Sequence, residues 1–321
     1  MPKANVTIVG LGFVGSSIGL ALKKSGADIS IIGHDKEPEV AREALRMKAI
    51  DRADWNLINA CEQADIIILA LPLQAIRDTM KAIGPYLREG CLITDTATLK
   101  RPVMRWAEEF LPGHVSFVGG DPIMSPQGGG GGVKAASADA LKGAVYCLTP
   151  SPTASGEAVE LAVALVRAMG ANPYFMDPAE HDGLLAGMEQ LPLVAAAALM
   201  GTLSQSPPWK DMRRLGGSAF NQGTAPLWES PAFWAGAFFE NADNVVRWID
   251  ELIGQLEILK QEIQARDEEA LSAYFDRAIT ERARWFKDRA MGQWEEMPEP
   301  PRPPGMLETF LGIRFKDRKG R

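Results

Sequence analysis

The sequence predicts a doubly wound α/β domain over residues 1–177, an all-α domain over 178–290, and a short tail over 291–321. Three observations carry this prediction. An apolar strand, Val6-Thr7-Ile8-Val9, runs directly into Gly10-Leu11-Gly12-Phe13-Val14-Gly15. Apolar runs and helical patterns then alternate through the first half of the chain. Beyond Asp177-Pro178 the strand signals stop and long helical periodicities take over.

Taken in order, the first strand, turn and following helix (16–24) form the opening of a dinucleotide-binding Rossmann fold. Gly10 allows the tight turn, Gly12 lets the backbone approach a pyrophosphate, and Gly15 lets the helix pack closely on the strand. The amides around Phe13 and Val14, at the positive end of the helix dipole, face the phosphates. A second strand, 28–33, leads to Asp35, twenty positions past Gly15, where a carboxylate can bind both ribose hydroxyls. A carboxylate there repels a 2′-phosphate, so NAD is expected over NADP, with Lys36 and Arg42 near enough to weaken the preference. Residues 66–71 are an unbroken apolar run of the kind buried on both faces of a parallel sheet. That run ends at Leu71-Pro72, which the fold brings to the cofactor at the carboxyl end of the strand. A helix over 73–83, a strand over 91–95, a helix over 102–109 and short strands over 117–120, 144–148 and 173–176 complete the domain, with a helix over 154–169.

The second half reads as one long helix over 179–203 and a later helical seam of Val245, Ile249, Leu252, Leu256, Leu259 and Ile263 at alternating spacings of four and three. Such a seam packs a bundle or a dimer. The tail is proline-rich and then basic, and reads as a surface extension.

With 321 residues the chain can bury two cores. A net charge of −7 argues against non-specific nucleic-acid binding and means that an anionic substrate needs a local cationic pocket. Cys61, Cys91 and Cys147 form neither a disulfide framework nor a metal-binding spacing, and Cys147 reads as core. The first strand begins almost at residue 1 and the apolar stretch 191–203 is short and alanine-rich, so a cytoplasmic protein without a membrane span is expected.

Several segments, spaced in order over residues 5–265, together resemble the prephenate/arogenate dehydrogenase family. Besides the glycine motif and Ala70-Leu71-Pro72 they are Thr94-Asp95-Thr96-Ala97-Thr98-Leu99-Lys100, Phe117-Val118-Gly119-Gly120-Asp121-Pro122, Leu148-Thr149-Pro150 and Met176-Asp177-Pro178-Ala179-Glu180-His181-Asp182. Leu191-Pro192 and residues 234–241 continue the match. The resemblance implies a helical dimerisation domain, a homodimer, and NAD(P)-dependent oxidative decarboxylation of a cyclohexadienyl acid in tyrosine-type biosynthesis. It also implies Thr96 at the cofactor, and Asp121, Thr98, Lys100 and Gln190 at the reacting end.

The substrate half departs from the family pattern. Where the family usually has His-Pro-Met, this chain has Asp121-Pro122-Ile123, so the base position carries a carboxylate. Where it usually has Ser-His-Leu-Pro-His, this chain has Glu189-Gln190-Leu191-Pro192-Leu193, and the usual carboxylate-gripping arginine falls on Ala225. The polar loop after the first motif is Gln127 followed by five glycines, and Thr98 keeps the hydroxyl of a usual serine. Lys134, Lys210, Arg213 and Arg214 are candidate replacements for the anion grip, and Trp209 and Trp228 for an aromatic wall. A ring amine in place of the hydroxyl suits the carboxylate electrostatically. His34 and His114 read as surface residues, and His181 as a local capping or packing residue. Two other readings stay open: a different reductase on the same scaffold, acting on an imine or keto acid, and a non-catalytic NAD-binding sensor.

Overall fold

A computed structural model describes residues 3–124, 131–227 and 231–291. Gln127 with most of the glycine run after it, Trp228 and the tail beyond Met291 lie outside these residues. The described chain divides into two compact units, one ending at His181 and the other beginning at Asp182.

The first unit is built on eight strands: β1 (Ala4–Val9), β2 (Ile29–His34), β3 (Arg52–Ala53), β4 (Ile66–Leu69), β5 (Leu92–Asp95), β6 (Ser116–Ile123), β7 (Val145–Pro150) and β8 (Asn172–Phe175). They lie in the order β3-β2-β1-β4-β5-β6-β7-β8. All neighbours are parallel except β6 and β7. Helices α1 (Phe13–Ser25), α2 (Pro38–Arg46), α3 (Leu57–Cys61), α4 (Leu73–Ile83), α5 (Arg101–Phe110) and α6 (Gly156–Ala168) form the connections. The apolar run of β4 explains the layering. Ile66 and Ile68 pack into one core cluster, and Ile67 and Leu69 into another. A strand buried on both faces must be apolar at every position, at about 1.5–3 kcal/mol per side chain removed from water.

β6 extends to Ile123, three residues beyond the strand expected from the sequence, and so takes in Asp121 and Pro122. Proline is tolerated there because β5 pairs with β6 only as far as Val118. The backbone N–H of Gly120 points to the β5 side, where Asp95 accepts it. Two residues on, Pro122 lacks a donor on that same side, where no strand bond is needed.

Helix α7 (Pro178–Leu185) begins at the boundary of the two units, and α8 (Leu191–Ser204), α9 (Trp209–Met212), α10 (Ser218–Thr224), α11 (Pro231–Glu240), α12 (Ala242–Ala265) and α13 (Glu268–Met291) follow. The single helix expected over 179–203 is interrupted by a π turn, Ala186–Gln190, between α7 and α8. Pro192 supplies the cause: it has no N–H to give and its ring crowds the carbonyl four residues back, so the ladder widens before it. The whole run Pro178–Ser204, 27 residues, is long and apolar enough by composition to cross a membrane, although the expectation was a stretch too short to do so. It carries buried Gln190 as well as buried Leu185, Ala186, Leu193 and Ala196. Of the expected seam on α12, Val245 is buried, Ile249, Leu252 and Leu259 are half-buried, and Leu256 and Ile263 are exposed.

Candidate active site

The carboxyl ends of β2, β1, β4, β5 and β6 carry, in that spatial order, Asp35, the glycine turn, Leu71-Pro72, Thr96 and Asp121. This is the edge of an open parallel sheet at which ligands bind. The turn is shaped by sterics. Gly10 has φ +92°, and a Cβ on it would lie 2.2 Å from the Ala70 carbonyl oxygen. A Cβ on Gly15 would lie 1.9 Å from the Gly10 oxygen. A Cβ on Gly12 would meet nothing within 4 Å. Gly12 is the N-cap of α1 and no side chain caps that helix. The first-turn amides at Phe13 and Val14 therefore border open space at the positive end of the dipole, a cradle that fits a pyrophosphate. Asp35 is half-buried and accepts from the Leu11 amide (2.8 Å) and from its own turn at Glu37 (2.9 Å). It thus ties the end of β2 to the glycine turn. Leu71 and Thr96 are half-buried, Pro72 is exposed, and the Thr96 amide donates to Leu69 across the strand ends (3.1 Å).

Farther along the same edge, a buried ion pair takes over where the β5–β6 ladder stops. Asp95 and Lys100 are both fully buried. Asp95 Oδ1 accepts the Gly120 N–H (3.0 Å), and Lys100 Nζ donates to Asp95 Oδ2 (2.6 Å) and to the Gly120 carbonyl (2.5 Å). Both backbone polar groups of Gly120 are thus held by side chains. No larger residue fits, because a Cβ there would lie 2.6 Å from the Asp95 backbone carbonyl oxygen and 2.8 Å from the Tyr146 ring. Ala97 also donates to Asp95 Oδ2 (2.9 Å). Lys100, expected at the reacting end, clamps the peptide before Asp121, and its charge is matched by Asp95.

Asp121, 3 % exposed, follows the clamped glycine and lies opposite Cys147 of β7. Burial pushes its carboxyl above the ordinary carboxylate range, opposed by the hydrogen bond and charge of His181 and by Lys100, and helped by Asp95. His181 Nε2 lies 3.2 Å from Asp121 Oδ2, and the imidazole is 2 % exposed. Asp177 caps the helix that carries it: its Oδ1 accepts the Ala179 (2.8 Å) and Glu180 (3.2 Å) amides, and its carbonyl accepts the His181 amide (2.9 Å). His181, read from the sequence as a capping or packing residue, is buried at the helix start and lies beside Asp121. The two residues stand 60 positions apart, and the one available signal was that a buried carboxylate requires a partner. Tyr146, also buried, has its phenol held well above the usual range by burial and by the Asp95 and Asp121 charges.

Thr98 is exposed. Gln190 lies in the second unit, where Nε2 donates to the Ala237 carbonyl (3.2 Å) and Oε1 accepts from Asn241 Nδ2 (2.7 Å). Asn241 also donates to the Asp182 carbonyl (2.9 Å), so Gln190 joins the π turn to α7, α11 and α12. Lys134, Lys210, Arg213, Arg214, Glu189 and Ala225 are exposed. Trp209 stacks obliquely on Phe220 (6.2 Å between centroids). His114 is an exposed residue, as expected, whereas His34 is half-buried with Nδ1 3.0 Å from the Asp54 carbonyl. All three cysteines are buried and free.

Comparison with known proteins agrees with this architecture. The nucleotide-binding domain of prephenate dehydrogenases matches residues 18–174, and the dimerization domain of the same enzymes matches residues 177–277. The chain is 31% identical over 278 residues to the prephenate dehydrogenase of Bacillus subtilis, covering 86% of this chain and 74% of that one. It is 26% identical to the cyclohexadienyl dehydrogenase of Zymomonas mobilis, over 84% of this chain and 92% of the relative. A crystal structure of prephenate dehydrogenase from A. aeolicus, in complex with hydroxyphenyl propionate and NAD+, superposes with a TM-score of 0.81 at 28% identity. That superposition covers 88% of this chain and 99% of the other. An uncapped glycine turn, a mostly parallel sheet, a following helical unit and two consecutive domain matches lead to one assignment: the chain belongs to the prephenate dehydrogenase family.

Proposed function

We propose that this chain is a cytoplasmic NAD-dependent dehydrogenase that oxidises a cyclohexadienyl acid of the prephenate or arogenate type with loss of its ring carboxylate as CO2, and that it works as a homodimer through its helical domain. The observation that carries the reading is the buried Asp121 at the end of the sheet edge that begins with the uncapped Gly12 turn. NAD held there would supply the acceptor for the hydride of ring C4. The chain's own residues then have three tasks. The α1 amides and Asp35 hold the dinucleotide, and the Asp35 carboxylate disfavours a 2′-phosphate. The Asp95–Lys100 clamp holds the strand at Gly120 and so sets the position of Asp121. Asp121 takes the proton of the C4 hydroxyl, and its raised basicity suits that work better than an ordinary carboxylate. Decarboxylation makes the ring aromatic and draws the reaction forward.

One observation favours a second substrate in the same class. Lys100 is neutralised by Asp95, so an ionised Asp121 beside a neutral His181 leaves the site net negative, which suits a ring bearing an amine at C4. NADH formation from prephenate, arogenate and 4-amino-4-deoxyprephenate, with wild type and Asp121→Asn, tests both readings. Turnover of one of the three that falls by about 10²–10⁴ in the variant is the expected result. No turnover of any substrate, with NAD still bound, overturns the assignment and favours a sensor or a different reductase.

A further inference from the structure

We propose that His181 is the positioning partner of the base, its Nε2–H holding Asp121 Oδ2 so that Oδ1 alone is presented to the substrate proton. The inference rests on the reading of Asp121 given above and adds a residue to it. An ionised carboxylate can only accept, so across the 3.2 Å contact the imidazole is the donor, in its Nε2–H tautomer or as imidazolium. Among the described residues Oδ1 accepts no hydrogen bond, so the two carboxylate oxygens differ in what they can do. The α7 cap at Asp177 holds the helix backbone that carries the imidazole, and the clamp on Gly120 holds the strand that carries the carboxylate.

The proton balance is simple. As the hydride leaves C4 for the oxidised nicotinamide, the hydroxyl O–H pair becomes the second bond of the carbonyl and the proton passes to Oδ1. His181 keeps its own proton throughout and needs no transfer. Its second effect is on basicity. Burial and Asp95 favour the protonated carboxyl, while His181 and Lys100 favour the ionised one. Tyr146 and Cys147 also face the carboxyl from β7. Lys100 is already matched by Asp95, so His181 is the adjustable member that keeps the base ready at neutral pH.

The chain has three histidines, so imidazole NMR of the intact isotope-labelled protein resolves the pair directly. His181→Leu identifies the resonance by its loss. In Asp121→Asn that resonance should titrate about one pH unit lower than in wild type, because the imidazolium loses its anionic neighbour. In the kcat/KM profile, His181→Leu should move the acid limb up by about one unit, and His181→Gln, which keeps a donor at Nε2, should move it back. A structural role alone would lower the plateau without moving the limb. If the Leu variant does not fold, the NMR titration of Asp121→Asn still reads the pair. An unmoved resonance in Asp121→Asn, or an unmoved limb in folded His181→Leu, overturns the pairing while leaving the dehydrogenase reading intact. Coupled titration in a protein that turns over none of the three substrates would sustain the pair and overturn the activity instead.

Discussion

A carboxylate 3 % exposed is held at a cost that depends on pH, and Asp121 makes that cost measurable. Its folded pKa is raised by burial, so the folded state favours the protonated form. The associated stability is fully present below the unfolded value of about 3.9 and is lost as pH rises through the folded value. Asp121→Asn removes the charge and should therefore gain on wild type as pH rises. We expect equal melting temperatures near pH 4 and a gain of roughly 2–4 °C at pH 8, for about 1 kcal/mol, by calorimetry. A falling difference would contradict the sign. Cys61 and Cys91 follow the same physics: burial pushes both thiols up to about 12, so neither forms thiolate at pH 8. Mass spectrometry should find both unalkylated by iodoacetamide in the native protein and modified after unfolding. At this scale the sequence marked Asp121 by its place in a motif. It could not show His181 beside it, because no local pattern links residues 60 positions apart.

At the scale of elements, the glycine turn separates packing from binding. Gly10→Ala places a Cβ against the Ala70 carbonyl on a backbone at φ +92°, and should cost roughly 2–3 kcal/mol in urea unfolding. Gly12→Ala meets open space and should leave stability within about 0.5 kcal/mol. The same methyl occupies the path of the pyrophosphate, so NAD affinity by calorimetric titration should fall at least about tenfold. Equal loss of stability in both variants would refute this division. The turn, β4 and most helices of the first unit were legible because turn sterics and two-faced burial act on neighbouring residues. The full length of β6 was not, since Pro122 ordinarily ends a strand and is allowed here by the missing β5 partner. The π turn was likewise hidden, although Pro192, which causes it, was in plain view.

On the scale of the whole molecule, the helical unit keeps apolar side chains outside its own core: Leu256 is 55% exposed and Ile263 60%, with Phe275 and Ile279 exposed on α13. Such an exposed apolar row is the kind of surface that partners cover, and a second copy would fit the proposed homodimer. The double variant Leu256→Asp/Ile263→Asp should run as a monomer in light scattering at micromolar concentration, with the first unit still binding NAD. A dimer that survives would move the interface elsewhere. By itself the sequence determined most strands and helices of the first unit, the dinucleotide turn and the family, because propensity, periodicity and motif spacing are properties of adjacent residues; the short elements α2, β3 and α3 were not read from it. Only the tertiary structure decided that Lys100 clamps Gly120, that Gln190 joins the helices of its own unit and that His181 meets Asp121. The reason is that a buried charge or amide must find its partner wherever the folded backbone brings one within about 3 Å.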